Sequence, residues 1–106
     1  MKDIFVHHVY FWLNDPASET DKATLLKGLK KLKKVENIKK SHIGVPAATN
    51  RDVIDSSYSV SWLCLFNTAE DQDVYQTHPI HLKFVETCKH TWSKVIVYDS
   101  VDPVSL

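Results

Sequence analysis

Tyr75, His78 and His81 fall in one short segment, Tyr75-Gln76-Thr77-His78-Pro79-Ile80-His81-Leu82-Lys83-Phe84-Val85. Pro79 opens a helix, because the N–H that proline lacks is not needed in a first turn. His81 then lies in that turn, and helical spacing puts it on one face with Val85, Cys88 and Trp92. The face is apolar and is predicted to point at a sheet. Burial and the positive end of the helix both favour neutral imidazole, a form that acts as a general base near neutral pH. Tyr75, just before the kink, carries a hydroxyl able to donate to a carbonyl oxygen. His7 is the third candidate. Strand spacing places it with Val9 and Phe11, and if that face meets the helices, His7 and His81 border one pocket walled by Trp62, Cys64 and Trp92. A core histidine bonded to backbone, beside a tyrosine with an anchored hydroxyl, would give the same pattern without any chemistry.

Other chemistries find less support. His78 and His81 have the i,i+3 spacing of metal ligands, but His78 precedes proline and is biased out of helical geometry. No carboxylate stands close to them in sequence, so no metal site is assigned. His42 and His90 read as surface or edge residues, and His8 faces the side of its strand opposite His7. Lys27, Lys30, Lys31, Lys33 and Lys34 lack interleaved aromatics and read as the solvated face of an amphipathic helix, not as a phosphate or nucleic-acid site. With only two glycines there is no phosphate-cradling loop. No Ser-His-Asp or Cys-His arrangement is readable from spacing.

The elements that must position these residues follow from periodicity. Residues 4–13 alternate as a strand with apolar residues on both faces. Asn14-Asp15-Pro16 ends it. Ser18 and Asp21 form an N-cap pair for a helix carrying Leu25, Leu26, Leu29, Leu32 and Val35 at helical spacing. Gly28 lies inside that helix at a cost of about 1 kcal/mol. Residues 38–46 read as a weaker strand, 47–57 as a polar loop and 58–66 as a clear strand. Thr68 and Asp71 cap a short helix over 69–77. The helix opened by Pro79 is predicted to run to about Trp92, and residues 94–99 make the last strand. The order β-α-β-β-α-β, with its second helix broken, is that of a ferredoxin-like α+β sheet with helices on one face.

Length and composition agree with one domain over residues 1–106. Hydrophobic residues at 43% suffice for a core, and a formal net charge of zero offers nothing that draws the chain to nucleic acid or an anionic membrane. No apolar run approaches the ~20 residues of a spanning helix. Met1-Lys2-Asp3-Ile4-Phe5 passes straight into alternation, unlike a signal peptide. Cys64 and Cys88 sit among apolar neighbours without CxxC spacing and read as reduced, buried thiols of a cytoplasmic protein. Helices on one face leave Val6, Tyr10, Trp12, Leu63, Leu65, Ile96 and Tyr98 uncovered on the other. A second copy packed through the sheet faces is the economical cover.

Val6-His7-His8-Val9-Tyr10-Phe11-Trp12-Leu13, the tyrosine and His-Pro-x-His pattern from Tyr75 to Phe84, and Val95-Ile96-Val97-Tyr98-Asp99 together resemble the stress-responsive A/B barrel (Dabb) family over nearly the whole chain. The resemblance implies a dimeric α+β barrel with a small cavity between sheet and helices in each subunit. It also implies roles. A plant polyketide cyclase of the family uses a tyrosine and a histidine for cofactor-free aldol chemistry, and those roles would fall on Tyr75 and His81, with the first-strand histidine on His7. Trp62 and Cys64 depart from the smaller aliphatics of those relatives. The leading expectation is a homodimer that binds a small, mostly apolar or carbonyl-containing molecule and performs cofactor-free lyase- or cyclase-type proton transfer. A non-catalytic binding or stress-protective protein is the alternative, and a cofactor-free monooxygenase a further one. A filled core with His81 bonded to backbone would favour the non-catalytic alternative.

Overall fold

Strand β1 (Phe5–Leu13) buries His7, Val9, Phe11 and Leu13 and leaves the residues between them half-buried. This two-residue period is the signature of a sheet with one covered face. The computed structural model describes residues 4–103. Met1–Asp3, the start of the N-terminal segment read above, lie outside the described residues, as do 104–106. The chain continues through α1 (Glu19–Leu32), β2 (Lys40–Gly44), β3 (Val60–Phe66), α2 (Ala69–Thr77), α3 (Pro79–Cys88), a 3-10 turn at Lys89–Thr91 and β4 (Trp92–Val101). The four strands form one antiparallel sheet in the order β2-β3-β1-β4. This is the ferredoxin-like α+β architecture.

Local chemistry sets the helix starts. Ser18 Oγ accepts from the Asp21 N–H at 3.1 Å, and Thr68 Oγ1 accepts from the Asp71 N–H at 3.0 Å. Each cap satisfies a donor that the first helical turn leaves free. Leu25, Leu29 and Leu32 of α1 join Val9, Phe11, Val60, Trp62, Phe66, Tyr75 and Phe84 in one core between sheet and helices. Cys64 and Cys88 are free thiols in the same core.

Three details depart from the periodicity. Helix α3 stops at Cys88, not near Trp92, which pairs with Leu13 and begins β4. Thr91 Oγ1 donates to the Cys88 carbonyl at 2.7 Å, while the Asn14 side chain donates to the His90 carbonyl at 2.7 Å and the Asn14 N–H to that of Thr91 at 2.9 Å. These bonds turn the chain about four residues early. The phase of α3 also differs: Phe84 is buried with Cys88, and Val85 is only half-buried. The cause is the approach of α1, for a Cβ on Gly28 would meet Cys88 Sγ and the Phe84 ring. Finally, β2 is shorter than predicted, although Lys39 N–H still donates to the Leu65 carbonyl.

The outer face of the sheet carries Val6, His8, Tyr10, Trp12, Leu63, Leu65, Ile96 and Tyr98, all half-buried or exposed. Tyr10 is its centre, with ring centroids 4.9 Å from Tyr58 and 6.0 Å from Tyr98.

Candidate functional site

The break between α2 and α3 explains how the His-Pro-x-His residues are held. His78 precedes proline and adopts an extended backbone, φ −63° and ψ 138°. Its Nδ1 accepts from the Ile80 N–H at 3.1 Å, capping α3. Its Nε2 therefore carries the proton and faces Glu36 Oε1 at 3.2 Å. Glu36 is a carboxylate that proximity in sequence did not reveal. With both nitrogens engaged, His78 serves the turn. Among the described residues, no group of three or more His, Cys, Asp or Glu gathers as a metal site would require.

Because the Ile80 N–H turns to His78, the Gln76 carbonyl near the end of α2 lacks a helical partner. His81 supplies one, its Nδ1 lying 3.0 Å from that oxygen. A carbonyl only accepts, so Nδ1 bears the proton and Nε2 is a bare lone pair. Among the described residues no buried side-chain nitrogen or oxygen lacks a partner. The unpaired Nε2 is therefore open to solvent. Burial lowers the His81 pKa, His7 adds to the lowering, and the Gln76 bond opposes it. The ring is half-buried and packs against Tyr75 with centroids 4.6 Å apart and planes tilted by 49°.

Tyr75 is 1% exposed, and its hydroxyl accepts from Trp62 Nε1 at 3.0 Å. Burial pushes the phenol upward, and the adjacent Cys64 thiol adds to the rise. The hydroxyl is thus neutral and engaged inside the core. His7 packs edge-on to Tyr75 at 5.7 Å, so the three candidate side chains do meet, with Tyr75 between the two imidazoles. His7 Nδ1 lies 2.6 Å from Asp99 Oδ1. A carboxylate accepts, so this nitrogen holds the proton and His7 Nε2 is the free one.

Asp99 is the residue that sequence reasoning missed. The signal for it is register: β1 and β4 run antiparallel with His7 directly opposite Asp99. Of the other residues predicted to line a cavity, Val9, Phe11, Trp62 and Cys64 belong to the core, and Val85 and Trp92 pack against it partly buried. Cys88 also belongs to the core and lines a groove of about 680 Å³ that runs between α1 and α3.

The family model for the stress responsive A/B barrel domain matches residues 5–102. The chain belongs to this family. The same fold is also evident among solved structures. A Dabb family protein with a ferredoxin-like fold from Mesorhizobium loti superposes with a TM-score of 0.77 at 20% identity, covering 98% of this chain and 100% of that one. A hydroxynitrile lyase from Passiflora edulis gives 0.78 at 15% identity, covering 100% and 99%. A dimeric protein of unknown function from Bacteroides fragilis gives 0.69 at 20% identity, covering 92% and 94%. At these identities the likeness concerns the fold. No curated protein matches the sequence. Among the described residues of this A/B barrel chain, no helix is long and apolar enough to cross a membrane.

Proposed function

We propose that this A/B barrel protein is a homodimer that binds a small carbonyl-containing or cyanohydrin-type molecule and performs cofactor-free lyase chemistry with His81 Nε2 as general base. One observation carries the reading: the Gln76 carbonyl fixes the His81 proton on Nδ1, leaving a basic, solvent-open Nε2 on a ring kept neutral by burial. His7, oriented by Asp99, offers a second nitrogen across the Tyr75 ring. Tyr75 acts first as the platform for both rings. Its hydroxyl accepts from Trp62 and keeps its own proton to donate, but at 1% exposure it meets a substrate oxygen only if the core opens beside it. With a cyanohydrin, His81 would take the hydroxyl proton, the C–C bond to the nitrile would break as the carbonyl forms, and departing cyanide would recover the proton from the imidazolium. The hydroxynitrile lyase among the structural relatives supports this class of step. The dimer would close the outer sheet face around Tyr10.

The test is cleavage of mandelonitrile, followed by benzaldehyde absorbance. His81→Gln should lower the rate about 100-fold or more, since glutamine keeps a donor for Gln76 but provides no base. Unchanged turnover in that variant would remove His81 from the chemistry. For the dimer, sedimentation should give twice the 12.2 kDa chain mass, and Leu63→Glu on the outer face should yield monomer.

The Trp62–Tyr75 bond favours a second reading, a non-catalytic binding or stress-protective dimer, because it fills the space beside the candidate base. The backbone bond of His81 points the same way. Benzaldehyde shifting the His81 and His7 ring resonances without any turnover would select it.

A further inference from the structure

The lysine-rich stretch of α1 is more than a solvated face. Lys27, Lys31 and Lys34 follow one another at i, i+4 and i+7 and line the groove between α1 and α3, and Lys83 lines it from α3. The groove has an apolar floor made by Gly28, Ile80, Phe84 and Cys88, and no acidic residue lines it. Among the described residues none of the four lysines takes part in an ion pair. Lys27 and Lys31, at i,i+4 on α1, repel one another, and Lys34 adds a third positive charge from the turn just beyond the helix. The dipole of α1 offsets this for Lys31 near its C-terminal end. It does nothing for Lys83, which stands on α3. These cations therefore surround an apolar trough with no internal counter-charge.

We propose that the α1–α3 groove is a binding site for a long-chain carboxylate, its alkyl chain on the Ile80–Phe84 floor and its head among the lysines. A volume of about 680 Å³ falls in the range of small-molecule sites. The polarity is also specific. An apolar floor gives nothing to the bases of a nucleic acid or to the many oxygens of a free phosphate, whereas an amphiphile with one anionic end matches both floor and rim. None of His7, Tyr75 and His81 lines the groove, so it is separate from the histidine site.

Fluorescence titration with dansyl-undecanoate tests the site, with displacement by dodecanoate. One saturable site per chain is expected. The double variant Lys31→Glu/Lys83→Glu should weaken binding about ten-fold, as two exposed charge contacts turn repulsive. Thr87→Trp, which fills the groove from its rim, should abolish binding, and circular dichroism should show both variants folded. Displacement by inorganic phosphate alone would mean a simple anion site and overturn the proposal. Equal displacement by dodecyltrimethylammonium would mean indiscriminate apolar binding and overturn it too. So would unchanged affinity in the charge-reversed variant, or a change in its sedimentation with no dodecanoate binding, which would make the groove a contact between copies.

Discussion

His7 and Asp99 stand directly opposite one another on adjacent antiparallel strands, and their side chains join at 2.6 Å between Nδ1 and Oδ1. His7 is 5% exposed, so its N–H depends on this acceptor. Asp99→Ala should lower stability by about 1–2 kcal/mol because it leaves a buried donor unpaired. Asp99→Asn, which keeps an acceptor oxygen, should cost distinctly less. Urea midpoints decide: equal losses would show that the carboxylate's charge matters more than its acceptor oxygen.

Trp62 and Tyr75 are each 1% exposed and share a hydrogen bond. Tyr75→Phe should cost about 1–3 kcal/mol, mostly for the stranded indole N–H. Trp62→Phe removes the donor and leaves a cavity as well. In a double-mutant cycle the two should couple by about 1 kcal/mol. Strict additivity would mean that the bond contributes nothing to stability.

Gly28 sets α1 against α3. Alanine there would gain about 1 kcal/mol in helix propensity, but its Cβ would meet Cys88 Sγ and Phe84. Overpacking of this kind costs about 1–3 kcal/mol, so Gly28→Ala should destabilise on balance. Adding Cys88→Ala should recover much of the loss. A higher melting temperature for Gly28→Ala alone would contradict this close packing.

Acid should weaken the fold. His81 and His8 both have folded-state pKa values below the ordinary 6.5, chiefly through burial. The unfolded chain therefore binds protons more readily, and stability falls as pH drops through 6.5 toward the depressed folded values. Melting temperatures between pH 7.5 and 5 should decline, and His81→Gln should flatten part of the slope. An unchanged slope would assign the effect elsewhere.

Much of this was legible in the chain itself. Ser18, Thr68 and Pro79 announce helix starts because caps act within three or four residues. The alternation of residues 4–13 places His7 inward and His8 outward. What distance in sequence hides is pairing. Asp99 is 92 residues from His7 and becomes visible only through strand register. The Trp62–Tyr75 bond depends on how a helix settles over a strand. Val85 was predicted at the core and Phe84 found there, because the contact at Gly28 turns α3 toward α1. The lysines of α1 gave no hint of a groove, since its other wall comes from α3.

Neighbouring positions His7 and His8 project through opposite faces of β1, the first toward Tyr75 and the second toward Leu63 and Tyr98. One peptide bond thus divides the interior chemistry from the surface offered to a second copy, and the two positions still sense each other, since the His8 pKa is lowered by burial first, then by His42 and by His7. Inserting or deleting a single residue early in β1 would exchange the two roles for every side chain beyond it, sending Val9, Phe11 and Leu13 outward. This strand should therefore tolerate changes of side chain far better than changes of length.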